Sequence, residues 1–244
     1  GSNADSTENP STHAKQKPQS IVFQPEEAEI VAQILSAGDA EGYAFWYGSA
    51  FDEILNTLAA DSPFVQMAVV DENKDRVDRL RQKIDDAKLY GRVTAHHSGP
   101  ADFMPPQNVA HMFFVGRDLT ATVDSAAIAK MYEAVRPYGG VLYLLGRDSR
   151  SKISKTLKEL NLEQAEVTET DHGIVIRRAG ALPGSADWTH QYGDIGNTIK
   201  SNDSRVKLPL GVLWFGGSSN MDVLPRHGHG PTEQVVGGRL FIQG

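Results

Sequence analysis

The sequence predicts an α/β protein: a doubly wound, mostly parallel seven-stranded sheet with helices on both faces, closed by a C-terminal antiparallel hairpin and followed by a short all-β segment. Three observations lead there. Short apolar runs alternate with helical stretches of roughly 10 to 15 residues, the signature of βαβ units and hence of parallel strands. The last two strands of this region flank Asp171-His172-Gly173, a turn signal for antiparallel pairing. Beyond Ala181 the helical stretches stop, and glycine and proline punctuate short apolar runs instead.

Taken in order, the first helix begins at Pro25. Glu26, Glu27 and Glu29 suit the positive end of its dipole, and Ala28, Val31, Ala32, Ile34 and Leu35 recur at helical spacing until Gly38. Tyr43 to Tyr47 is an aromatic strand, Gly48-Ser49 a tight turn, and Phe51, Ile54, Leu55 and Leu58 mark the next helix. Phe64 to Val70 is the second strand. Asp71 to Ala87 reads as a charged helix with the apolar stripe Val77, Leu80 and Ile84, and with Asp75/Arg79 and Asp78/Gln82 four apart on its wet faces. Strands at Arg92 to His96 and Val109 to Val115 enclose a loop at Ser98 to Gln107. A helix over Ala126 to Val135 is stopped by Pro137 and Gly139-Gly140, Val141 to Leu145 is a strand, and Ser151 to Leu160 is a helix. The strands Ala165 to Thr170 and Ile174 to Arg178 complete the sheet.

Composition narrows the function classes. The 244 residues are 40% hydrophobic and 23% charged, enough apolar content for a core, and they include no cysteine. Disulfide scaffolds, thiolate metal sites and cysteine nucleophiles are excluded, so chemistry must come from carboxylates, histidine, hydroxyls, backbone or a cofactor. A net charge of −7 argues against nucleic acid as a partner, because phosphate neutralisation needs a basic face. No apolar run approaches the roughly 18 residues of a membrane span.

Three regions follow. Residues 1–19 open with Gly1-Ser2-Asn3-Ala4, which reads as the scar of a cleaved tag, and continue as a flexible leader without large apolar residues. Residues 20–179 form the α/β domain. Residues 180–244 are an incomplete all-β segment, expected to belong to a larger multidomain protein and to associate through its apolar strands, such as Arg239 to Gln243. A leader of this kind is also what remains after a signal peptide is removed, in which case the protein is exported.

In a doubly wound sheet, ligands bind beyond the carboxyl ends of the strands where strand order reverses. Gly48 sits in the first such turn, and Asp71 ends the second strand 23 residues later. An acid at that spacing is placed to bind the hydroxyls of a ribose. Each has a plainer reading: Gly48 as a tight turn, and Asp71 as a helix N-cap. Arg117-Asp118 lies just past the end of the fourth strand, where it could hold a substrate group or form a solvated pair worth under about 1 kcal/mol. His96 and His97 alternate faces on a strand and cannot share a metal; His227 and His229 have metal-like spacing without a carboxylate cluster, so no metal site is assigned.

On these residues, 25–178 resemble the class I S-adenosylmethionine-dependent methyltransferases, a Rossmann-like family. The resemblance places Gly48 and Ser49 in the glycine-rich first motif, Asp71 at the ribose, Asp102 and Phe103 beside the adenine, and residues 113–118 beside the substrate, with Asp118 the candidate base. Met131-Tyr-Glu-Ala-Val-Arg-Pro-Tyr-Gly-Gly-Val-Leu142 is similar to the family's helix, Pro-Gly-Gly turn and fifth strand. The implied cofactor is S-adenosylmethionine. The first turn departs from the pattern, with one glycine and no acid unless Asp52 or Glu53 substitutes, which implies weak or lost cofactor binding. The segment Leu182 to Thr198, with Leu213-Trp-Phe and Gly238-Arg-Leu-Phe-Ile, resembles the opening of a pyrroloquinoline-quinone-type β-propeller repeat, in which Trp188 would pack rather than bind.

Two functions compete: a methyltransferase domain of unknown acceptor, cytoplasmic if active, and an inactive methyltransferase-fold module serving binding or interdomain packing. A nicotinamide oxidoreductase is disfavoured by the hairpin and by the single glycine.

Overall fold

Trp46, Tyr47, Phe113 and Phe114 stand at successive positions on two strands, and only a sheet covered on both faces can bury all four. The computed structural model describes residues 25–37, 41–48, 64–211 and 232–242 and shows that sheet. Its elements, in chain order, are α1 (Pro25–Ser36), β1 (Gly42–Tyr47), β2 (Phe64–Asp71), α2 (Lys74–Asp86), β3 (Val93–His97), β4 (Ala110–Val115), α3 (Arg117–Thr122), α4 (Ser125–Ala134), β5 (Gly140–Leu145), α5 (Arg150–Leu160), β6 (Ala165–Glu169), β7 (Gly173–Arg178), β8 (Gln234–Val236) and β9 (Arg239–Phe241).

The strand order is β3-β2-β1-β4-β5-β7-β6. β3, β2, β1, β4 and β5 run parallel, and β7 pairs antiparallel with both β5 and β6. The predicted mostly parallel sheet with its closing hairpin is therefore present. The chain leaves β3 at one edge and re-enters beside β1 as β4, so strand order reverses between β1 and β4. The predicted helix at 51–58 lies outside the described residues.

Strand alternation divides the core in two. One face of β1 and β4 offers Ala44, Trp46, Met112 and Phe114 to α1 and α2 through Ile30, Ile34, Val77 and Leu80. The other offers Phe45, Tyr47, Phe113 and Val115 to α4 and α5 through Ile128, Met131, Ile153 and Leu157. Trp46 meets Phe114 at 5.0 Å between ring centroids, and Tyr47 meets Phe113 edge-on at 4.8 Å. Such pairs add about 0.5–1.5 kcal/mol to the burial of their large rings.

The helices are terminated by their own polar residues. Asn73 caps α2 by accepting the Arg76 N–H at 3.0 Å, and Asp124 caps α4 by accepting the Ala127 N–H at 2.7 Å. Asn161 ends α5 in the left-handed conformation at φ 45°, which asparagine tolerates. On the wet face of α2, Asp78 pairs with Lys74 and Arg81 rather than reaching Gln82, which instead bonds Asp86.

At the opposite, amino-terminal edge of the parallel strands, two arginines of β7 tie the layers together. Arg177 donates to the Ala37 carbonyl behind α1, and Arg178 donates to Asn108 Oδ1 at 3.0 Å and Val135 O at 2.9 Å.

Among the described residues beyond Arg178 there is no helix, and β8 and β9 form a two-stranded antiparallel pair. Trp188 exchanges two backbone hydrogen bonds with Val235, at 3.0 and 2.8 Å, and its ring lies against Gly193. Leu208, Leu210, Leu240, Phe241 and Ile242 are exposed. The predicted strand at 211–215 falls almost wholly outside the described residues; the one at 239–243 is seen as Arg239–Phe241. Among the described residues, no helix is long and apolar enough to cross a membrane.

Phe114→Ala removes the ring common to the Trp46 and Phe64 contacts from a fully buried site. A loss of about 3–5 kcal/mol is expected in urea denaturation. Val167→Ala on the exposed β6 strand should stay within about 0.5 kcal/mol of wild type.

Candidate functional site

The parallel ladders extend one residue past β1 and bring several chain segments to a common edge. Gly48 N–H donates to Val70 O at 2.8 Å, Gly116 N–H to Tyr47 O at 2.7 Å, and Ser98 N–H to Asp71 O at 3.1 Å. The carboxyl ends of β2, β1 and β4 thus meet where strand order reverses, the place a doubly wound sheet uses for ligands.

Gly48 suits this position by its backbone conformation rather than by packing. Its φ is +82°, and a Cβ would stand 3.4 Å from Leu119 Cδ1 of α3; a Cβ on the facing Gly116 would meet Gly48 O at 3.0 Å. Both polar groups of Gly48 are engaged, the N–H by Val70 and the carbonyl by Trp46 Nε1 at 2.5 Å. Ser49, together with Asp52 and Glu53, lies outside the described residues.

Asp71 is not the helix N-cap. Its backbone still belongs to the sheet, paired with His97, and α2 begins three residues later under the cap of Asn73. The carboxylate is instead a buried hub. Its Oδ1 accepts the Asn73 N–H at 2.6 Å and the Arg76 guanidinium through Nε at 3.2 Å and Nη2 at 3.0 Å. Arg76 then reaches Asp118 Oδ2 with Nη1 at 3.6 Å. The side chains of Asp71, Arg76 and Asp118 are 1%, 35% and 61% exposed, so the chain of charges runs outward from the core to solvent.

Asp118 therefore meets Arg76 rather than standing only as a solvated partner of Arg117. Position on the first turn of α2 gives Arg76 this reach. In the sequence it is one of several alternating charges, and nothing in its spacing distinguishes it from Arg79. The helix α3 was likewise not predicted: its six residues are too few for periodicity to show.

The loop after β3 supplies the third side. Asp102 is exposed, and its N–H closes a turn onto Gly99 O at 3.2 Å. Phe103 is drawn in: its carbonyl accepts the hydroxyl of buried Tyr47, and its ring lies 4.7 Å from the His96 ring. Burial raises the Tyr47 pKa. The His96 pKa is lowered by burial first and by the Arg81 charge second. His96 is half-buried beside Phe103 and the adjacent His97 is exposed, the two lying on opposite faces of β3.

Gly48, Asp71, Phe103 and Asp118 are thus brought to one edge of the sheet, while Asp102 points its chemistry to solvent. Two grooves of about 400 and 510 Å³ lie elsewhere, along α5 and the outer strand β6. Among the described residues, no group of three or more His, Asp or Glu could hold a metal ion; His227 and His229 are outside them.

No family model matches the sequence, and no curated protein matches it. Solved structures do. A protein of Methanococcus maripaludis assigned as an S-adenosyl-L-methionine-dependent methyltransferase matches with a TM-score of 0.52 at 19% identity, over 64% of this chain and 85% of that one. A SAM-dependent methyltransferase from Aquifex aeolicus matches at 0.46 and 12% identity, over 64% of this chain and 100% of that one. Phosphoethanolamine N-methyltransferase 2 of Haemonchus contortus, in complex with S-adenosyl-L-methionine, matches at 0.49 and 12% identity over 60% and 39%. The fold is that of the class I methyltransferases.

The environment of His96 predicts a pH effect. Because the fold favours the neutral ring, its contribution to stability is complete above the unfolded-state value of 6.5 and is lost as pH falls through it. The urea midpoint should therefore drop between about pH 7.5 and about pH 5.5, and the drop should be smaller in His96→Gln. Equal drops in the two proteins would remove His96 as the cause.

Proposed function

We propose that residues 20–179 are an S-adenosylmethionine-dependent methyltransferase-like domain of a larger multidomain protein, with the adenosyl site at the carboxyl edge of β1, β2 and β4. The observation that supports it best is Asp71: an acid with its side chain 1% exposed, ending the strand beside β1 at the reversal of strand order. Buried carboxylates need hydrogen-bond donors; Asp71 has the Asn73 N–H and the Arg76 guanidinium, and the two hydroxyls of a ribose are donors of the kind that replaces the latter. Phe103, held against His96 and tied to Tyr47, suits a flat wall for the adenine.

When bound, S-adenosylmethionine supplies an electrophilic sulfonium methyl. The chain's share is to hold the adenosyl group and orient the acceptor, so rate enhancement comes mainly from proximity. Asp118 is the candidate base at the end of β4, available to an acceptor once Arg76 is turned away from it. The fit is incomplete at Gly48, whose backbone is engaged internally and lies under Leu119. Cofactor affinity is accordingly weak.

A second reading, an inactive module used for binding or interdomain packing, is favoured by Arg76, which already occupies the ribose-binding acid. In either case residues 180–244 are read as the opening of a quinone-type β-propeller. Trp188, paired with Val235 and packed on Gly193, acts there as a structural residue. The exposed Leu240, Phe241 and Ile242 are the surface through which this segment associates.

Calorimetric titration with S-adenosylmethionine and with its demethylated product separates the readings. Binding in the millimolar range, about 4 kcal/mol, is expected for wild type, and none for Asp71→Ala. Absence of heat with wild type at millimolar ligand would leave only the inactive module.

A further inference from the structure

We infer that Arg76 is a latch over the adenosyl site, and that an adenosyl ligand binds only when this side chain lets go of Asp71. The inference rests on the adenosyl reading above. Its basis is the juxtaposition of two carboxylates on either side of β1. Asp71 ends β2 and Asp118 follows β4, and these are the two strands that flank β1. One guanidinium touches both, with Nε and Nη2 on the inner acid and Nη1 on the outer one. Arg76 thus spans the carboxyl end of β1 at the reversal of strand order, where the ribose would lie.

The geometry separates this role from that of a purely structural ion pair. Asn73, not Arg76, caps α2, and its N–H already gives Asp71 Oδ1 a backbone donor at 2.6 Å. Helix entry therefore does not depend on the arginine. A buried partner for Asp71 alone would not need the outward contact with Asp118, which is 61% exposed. The Arg76 side chain as a whole is one-third exposed, so its outer end has a path toward water while its stem stays on α2. Asp71 Oδ1 already takes the Asn73 N–H and two guanidinium N–H groups, more than its lone pairs serve, so a ribose hydroxyl gains that oxygen only when the guanidinium withdraws.

Occupancy of the latch sets the apparent affinity. A site that is competent only in the fraction of molecules with Arg76 released binds more weakly by that fraction. A latch closed in about nine molecules of ten weakens binding about 10-fold. The outer contact joins the half-buried Arg76 to the exposed Asp118, so salt screens it and favours release. The ligand thereby becomes linked to ionic strength and to any partner that contacts Asp118.

The test uses 5′-methylthioadenosine, an uncharged adenosyl probe, titrated by calorimetry into wild type, Arg76→Gln, Asp118→Asn and Asp71→Asn. Arg76→Gln is expected to bind about 10-fold more tightly than wild type. Asp118→Asn, which keeps the buried Asp71–Arg76 pair and so its fold, is expected to bind severalfold more tightly. Wild-type affinity should rise with added salt, that of Arg76→Gln should not, and Asp71→Asn should lose binding. If Arg76→Gln and Asp118→Asn bind no more tightly than wild type while wild type binds, the latch is overturned and the adenosyl site stands. If Arg76→Gln binds more weakly, Arg76 is a ligand contact and the latch is again overturned. If none of the four binds at millimolar probe, the adenosyl reading itself falls, and the latch with it.

Discussion

The two-sided burial of β1 and β4 is the constraint from which the remainder of the domain follows. Their adjacent aromatic side chains point alternately to opposite faces, so neither face can be left to water without exposing Trp46 and Phe114 or Tyr47 and Phe113. Two helix layers are therefore obligatory, and parallel strands with helical crossovers provide them. α1 and α2 close one face and α4 and α5 the other. The outermost strand β6 has no such demand: its residues are mostly exposed, and Glu166 and Glu169 discourage further pairing at this edge.

With both faces closed, polar chemistry is pushed to the ends of the strands. Asp71 shows how strongly. As the last residue of a central strand it is carried into the interior by its sheet pairing, and an ionised carboxylate there must find donors. It finds the backbone of Asn73 and the guanidinium of Arg76. The same burial that would make it a ribose anchor makes it a magnet for a nearby arginine. On the proposed adenosyl reading, functional acid and structural ion pair would be the same carboxylate in two states, exchanged by ligand competition.

Residues 179–211 and 232–242 contrast with this. Trp188, Val235 and Gly193 form a local contact, but Leu208, Leu210, Leu240 and Phe241 stay exposed, and an isolated two-stranded pair is marginal in water. Covering surface of that kind is the ordinary role of a further β layer or partner chain.

Much of this was legible in the residues. Periodicity located nearly every described element, because strands of one- or two-sided burial and amphipathic helices leave different spacings of apolar side chains. Asp171-His172-Gly173 announced the antiparallel hairpin, and the order of strands and helices placed Gly48 and Asp71 at the carboxyl edge of the sheet. What one dimension could not carry was the partner of Asp71. The helix boundary moved from Asp71 to Lys74 because sheet pairing with His97 outbid a local cap, an interaction between residues 26 apart. Phe103 is tied to the hydroxyl of Tyr47, and Arg76 bridges Asp71 and Asp118 because β2 and β4 lie on either side of β1. The sequence by itself determined the layers and the edge where chemistry must sit, since those depend on local spacing and burial. Only the tertiary structure decided which charge reaches the buried acid, since that depends on distances across strands that are neighbours in space and remote in the chain.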